Sequence, residues 1–193
     1  MSRINYIFVD FENVQEIDLD RIEGKPVKVT LVLGLRHKNL TVKFVKQLLK
    51  HAGQVALVET GREGRNALDL VLATYIGDAR RTDPGGYFRI VSRDKDFDAL
   101  IGHLKDDGTF AARHAAFNEV PVLMNPVERE NLLMTLFKTN GSSRPKRKKS
   151  LESWIQAPFG RTLSTAEVDE IVRELVTKEV ITLSEKGEVA YKV

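Results

Sequence analysis

Four short runs, residues 5–9, 27–33, 55–59 and 87–91, are apolar at nearly every position and rich in Val, Ile, Leu, Tyr and Phe. Runs that do not alternate suit strands buried on both faces of a parallel sheet. Between them the period changes to that of helices. Residues 41–51 set Val42, Val45, Leu48 and Leu49 on one face and Lys43, Lys46 and Lys50 on the other, which predicts a surface helix with the apolar stripe inward. Residues 66–79 predict a second helix, and 96–107 a third, stopped by Gly108. A fifth strand is expected at 110–114, and a last helix at 126–138 with Pro126 in its first position. Repeated alternation of this kind predicts a doubly wound α/β domain over residues 1–138.

Beyond it the pattern breaks. Residues 139–150 hold five basic side chains, no acid and no apolar residue, together with Gly, Ser and Pro. They read as an exposed basic linker that attracts phosphate without sequence preference. Residues 151–193 form a small unit: Ser164-Thr165-Ala166-Glu167 is a capping box for a helix, and two short apolar runs around Lys186-Gly187 predict a β-hairpin. The combination resembles part of a winged helix. Its helix carries Glu167, Asp169, Glu170 and Glu174, so phosphates would be repelled there, and the unit is expected to contact protein, as a homodimer or with another partner.

Composition then narrows the chemistry. The chain of 193 residues has no cysteine, so disulfides, zinc ribbons and thiol nucleophiles are excluded. No apolar run reaches the ~20 residues of a membrane span and no signal-peptide pattern opens the chain, so a cytoplasmic protein without membrane contact is expected. The net charge of +3 hides an almost neutral first domain, the basic linker and an acidic C-terminal unit.

In an open parallel sheet, ligands bind beyond the carboxyl ends of the strands. The first strand runs into Asp10-Phe11-Glu12-Asn13, and the fourth into Ser92-Arg93-Asp94-Lys95-Asp96-Phe97-Asp98. If the two strands are parallel neighbours, Asp10 and Asp94 converge; a helix cap is the alternative for Asp94 or Asp96. Asp69 lies in an apolar helix segment, where an ionised carboxylate needs a cation or donors beside it. A pocket of Asp10, Asp69 and Asp94, with Asp96 or Asp98 nearby, is an all-oxygen ligand set that selects Mg²⁺ or Mn²⁺. Such ions can generate hydroxide and stabilise the leaving oxygen of a phosphodiester. Asn13 could orient a water or a ligand carboxylate, and Ser92 could bond the metal shell or a phosphate. Arg36, Lys38, Arg62, Arg65, Arg93 and Lys95 cluster at the same strand ends and predict a basic rim for a polyanionic substrate.

The residues 8–14, Asn66-Ala67-Leu68-Asp69 and 91–100 together resemble the motif series of PIN-like nucleases, in particular the NYN subgroup, over roughly residues 4–138. The resemblance implies a Rossmann-like α/β fold with a mostly parallel sheet. It also implies a carboxylate cluster for Mg²⁺ or Mn²⁺ and cleavage of single-stranded RNA, with DNA as the alternative. By position it gives Asp10, Asp69 and Asp94 to the metal, Asn13 to the polar position after the first Asp, and Asp96 or Asp98 to the fourth acid. Two other readings stay open. One is an RNA-binding or scaffold protein that does not cut. The other is a haloacid-dehalogenase-like phosphatase built on Asp10 with Asp94 and Asp98, for which Glu12 stands where an Asp general acid is required.

Overall fold

The computed structural model describes residues 3–35, 39–62, 64, 66–161 and 163–192. The chain folds into two compact units, Met1–Leu123 and Met124–Val193.

The first unit is a five-stranded, all-parallel sheet. β1 (Asn5–Asp10) is buried at every position, as expected of a central strand with layers on both faces. β2 (Val27–Leu33) pairs with it on one side; α1 (Val42–Lys50) then leads to β3 (Val55–Glu59) at the edge. α2 (Ala67–Thr82) returns the chain to β4 (Tyr87–Val91) on the other side of β1, and α3 (Phe97–Asp106) leads to β5 (Phe110–His114). The spatial order is β3-β2-β1-β4-β5. All five strands fall where the apolar runs placed them. Gly108, in the left-handed region at φ 74°, follows α3 as its stop signal requires.

Helices α2 and α3 cover one face, where Leu68, Leu72, Ile76, Phe97 and Ile101 meet Phe8, Phe88 and Ile90. The other face packs against α1 and the segments at 14–22 and 117–123. Here α1 departs from its expected orientation. Val42 and Leu49 are each 73% exposed and Val45 is 39% exposed, whereas Phe44 and Gln47 point inward. Leu48 still packs on the core, and Lys43, Lys46 and Lys50 are exposed as expected. The inward face is turned toward Phe44, which stacks on Phe11, and Gln47, which donates to Asp18 and Asp20 at 2.9 Å each.

Close approach at the start of β4 offers a stability test. A Cβ on Gly86 would lie 2.8 Å from the ring of Tyr6, which is itself stacked on Phe88 and donates its hydroxyl to Asp83. With the ring held on both sides, Gly86→Ala should destabilise the first unit by about 1–3 kcal/mol, the usual cost of overpacking, measurable by chemical denaturation.

The second unit begins earlier than the sequence pattern suggests. α4 (Pro126–Asn140) starts at an Asn125–Glu128 capping box and belongs to this unit, not to the sheet domain. Its Leu133 and Phe137 join Leu151 and Ile155 of α5 (Lys148–Gln156) and Val168, Val172 and Leu175 of α6 (Thr165–Thr177) in one core, closed by the hairpin β6 (Ile181–Leu183) and β7 (Val189–Tyr191). Trp154 of α5 stacks on Phe137 with ring centroids 4.7 Å apart.

The stretch 139–150 is therefore not a linker. It holds the end of α4, a 3-10 turn, a β-bridge from Arg147 to Glu188 and the first turn of α5. Its lack of apolar residues is offset by backbone partners: Lys148 N–H donates to Gly187, and Lys146 C=O accepts from Val189 N–H. No helix among the described residues is long and apolar enough to cross a membrane.

Candidate active site

The chain moves outward from β1 to β3 and then crosses to β4, so the order of the sheet reverses between β1 and β4. A crevice opens at the carboxyl ends of strands at such a point. Parallel pairing of Val9 with Val91 brings Asp10, Ser92 and Asp94 to that crevice. Asp69 comes from the first turn of α2, next to the buried Leu68 that anchors the helix on the sheet. The result is a cavity of about 280 Å³ lined by Asp10, Glu12, Asn13, Leu35, Thr60, Arg62, Gly64, Asn66, Ala67, Leu68, Asp69 and Asp94.

Hydrogen bonds hold its floor. Asp10 is buried and accepts from the Asn13 side chain at 2.6 Å, from the Asn13 amide at 3.2 Å and from the Ser92 hydroxyl at 2.8 Å. The same hydroxyl accepts from the Asp94 amide at 3.0 Å, so the fully buried Ser92 ties one carboxylate to the backbone of another. Asp94 in turn accepts from the Asp96 amide at 2.9 Å. Asp96 precedes α3 but makes no side-chain capping bond, so helix capping does not account for it.

The cavity concentrates negative charge. Burial, and after it the negative charges of Asp10, Asp94, Asp96 and Glu12, push the Asp69 carboxyl above its ordinary range. A cation among these oxygens removes that penalty, and an all-oxygen set of this kind fits a hard divalent ion.

The PIN domain family model matches residues 4–114. The chain belongs to this family. No curated protein matches it. PIN domains are typically metal-dependent nucleases that use divalent ions, and the carboxylate cavity of this one lies inside the matched region, as does every strand of the sheet.

Not all the expected site residues of the PIN domain gather in the cavity. Asp98 faces away: Arg113 of β5 binds both its oxygens, Nε to Oδ1 at 2.7 Å and Nη2 to Oδ2 at 3.1 Å, which lowers its pKa. Arg113 also donates to the Ser92 carbonyl, so this pair braces the loop behind the site. Arg93 lines a separate recess with Val14, Glu16, Asp18 and Arg21, and the exposed Lys95 does not line the cavity. Of the predicted basic rim, Arg62 stands at the cavity, while Arg36, Lys38 and Arg65 lie outside the described residues.

Glu12, Thr60 and Asn66 also line the cavity, though none was predicted as a residue of the metal site. Glu12 lies two positions after Asp10, and its carboxylate fills the space a Cβ on Gly34 would need, with Oε1 1.5 Å from that position. Thr60, buried just after β3, is visible by the same strand-end logic that finds Asp10. Asn66 adopts a left-handed conformation at φ 59°, which Asn tolerates better than most residues.

A second acidic group lies elsewhere in the unit. Asp20, Glu23 and His51 offer ligand atoms within 4.8 Å of one another, a spacing that the cavity carboxylates do not reach among the described residues. That group already holds a cation, because the Lys50 ammonium bonds Asp20 at 2.9 Å and Glu23 at 2.8 Å.

Proposed function

We propose that the protein is a metal-dependent endoribonuclease of the NYN subgroup that hydrolyses phosphodiester bonds in single-stranded RNA, using Mg²⁺ or Mn²⁺. The observation that carries this reading is the meeting of Asp10, Asp69 and Asp94, from two strand ends and one helix, in a single cavity. These three would hold the ion, with Asp96 and Glu12 adding negative charge around it. When bound, the ion supplies Lewis acidity and a hydroxide at neutral pH. Asn13 and Ser92 fix the rotamer of Asp10, so its oxygens do not have to be ordered during the reaction. Arg62, at the cavity opening, suits a phosphate oxygen of the substrate.

Cleavage of single-stranded RNA and DNA with Mn²⁺ tests the reading. RNA should be cut internally, and EDTA should stop the reaction. No cleavage by a clean preparation that still binds RNA would favour the non-catalytic RNA-binding reading. The phosphatase reading loses its support here, since Asp98 is committed to Arg113 outside the cavity.

Metal binding has a readout of its own. An ion that binds only the folded state at a hundred times its Kd adds about 2.7 kcal/mol, so Mn²⁺ should raise the melting temperature measurably. Asp69→Asn should shrink that rise, and Asp20→Asn should leave it in place.

A further inference from the structure

The second unit carries a groove of about 790 Å³ lined by Arg144, Lys146, Arg147, Thr182, Ser184 and Glu188, among others. Its basic wall is built, not loose. Val189 N–H donates to the Lys146 carbonyl at 3.0 Å, Lys148 N–H donates to the Gly187 carbonyl at 2.9 Å, and Arg147 bridges Glu188. These bonds and an isolated antiparallel bridge hold the basic tract against the residues at the start of β7, directly before α5. Lys146, Arg147, Lys148 and Lys149 are consecutive and all exposed, the first two lining the groove and the last two opening α5.

Charge pairing in this row differs from that in the rest of the unit. Lys178 pairs with Glu130, Lys192 with Glu179 and Arg129 with Glu167. Lys148 reaches Glu152 only at 3.6 Å, and Lys146, Arg147 and Lys149 have no ion pair among the described residues. Adjacent like charges held on a fixed backbone repel one another, and a polyanion relieves that repulsion.

The groove lacks what a protein partner would use. The cross-strand pair Thr182 and Ala190 lines it together with Val189, and none of these is a large aromatic anchor. The aromatic ring that lines it, Tyr191, is committed: its hydroxyl donates to the Pro145 carbonyl at 2.7 Å and its ring packs on Phe137 and under Arg144. Glu188 is the acid at the wall, against three bases.

We propose that Lys146, Arg147, Lys148 and Lys149 form a binding surface for the phosphodiester backbone of single-stranded RNA, distinct from the carboxylate cavity. Binding is through charge and carries no base preference. The strip spans the bridge segment and the first turn of α5, whereas the face of α6 is acidic. The proposal does not require cleavage.

Anisotropy of a short fluorescent single-stranded RNA with the full chain in EDTA, over a range of salt, tests it. Lys146→Gln with Arg147→Gln should weaken binding on the order of tenfold and reduce the slope of log affinity on log salt by about 1.4, about 0.7 for each phosphate no longer neutralised. The double change to Glu should weaken it further. Lys46→Glu, on exposed α1, controls for net charge and should change neither quantity. Unchanged affinity and slope in the double variants would overturn the proposal, as would an equal loss in Lys46→Glu. So would self-association that the double variants abolish while RNA affinity stays constant, since the strip would then receive an acidic surface of a second copy. Melting temperatures of the variants identify any loss due to misfolding, and the milder Gln pair keeps the test open if the Glu pair does not fold. Because binding is read without metal, failure here and failure of the nuclease reading are distinguishable.

Discussion

Asp94→Asn should reduce RNA cleavage by on the order of a thousandfold or more, with the fold intact. The amide keeps the size and can still accept from the Asp96 amide, but it withdraws one negative charge from the ion. Asp69→Asn should cost about as much activity and show a second sign. Its carboxyl is destabilised by burial and by four neighbouring acids, so removing the charge should leave the metal-free protein as stable as wild type or more so. Lost activity with retained or raised stability is not the behaviour of a merely structural residue. Ser92→Ala should lie between, at about 10–100-fold, because it removes one of the three hydrogen bonds that hold Asp10 without removing a ligand. Asp98→Asn should remain close to wild type, since that side chain serves Arg113 outside the cavity. Cleavage surviving in both Asp94→Asn and Asp69→Asn would refute the nuclease reading, and a collapse in Asp98→Asn would show that the cavity extends to the Arg113 pair. Each is read from initial rates at fixed Mn²⁺, beside a melting curve.

The central strands β1 and β4 were legible because a strand buried on both faces must be apolar at nearly every position. The edge strands β3 and β5 were legible from short apolar runs, although each is only partly buried. Asp10 and Asp94 were legible for a related reason: polar residues directly after such runs have few places to go except the sheet edge. What the pattern missed depends on partners distant in sequence. Asp98 looks equivalent to Asp94 and Asp96 until Arg113, on another strand, binds it. The inward face of α1 is turned by Phe11 and two aspartates away from Val42, Val45 and Leu49, while Leu48 keeps its place on the core. Helix α5 was hidden because its first turn is Lys148 and Lys149; only Leu151, Trp154 and Ile155 carry its apolar signal, and the hairpin supplies the bonds that begin it. Charge alone marked that stretch as solvated, and it is solvated, but on an ordered backbone.

Acidification should destabilise the first unit well before its carboxylates protonate, through His114. The ring nitrogen Nε2 is closed off from solvent and has no hydrogen-bond partner. Burial, and then the charges of Arg89 and Arg113, lower its pKa from 6.5 to about 3. The folded value is below the unfolded one, so between pH 6.5 and 3 the unfolded chain binds a proton that the folded chain refuses. Stability is therefore full above pH 6.5 and falls as pH drops through this window. At pH 5 the loss is roughly 2 kcal/mol, at about 1.36 kcal/mol per pH unit below 6.5. Asp69 acts in the opposite sense, because its raised pKa favours the folded state on protonation and offsets part of the loss at lower pH. Comparison of wild type with His114→Gln isolates the imidazole: urea unfolding at pH 7.5 and pH 5 should show the wild type losing stability and the variant losing much less over the same interval. Equal losses in the two proteins would show that His114 accepts its proton in the folded state, and that the positive charges of Arg89 and Arg113 do not govern it.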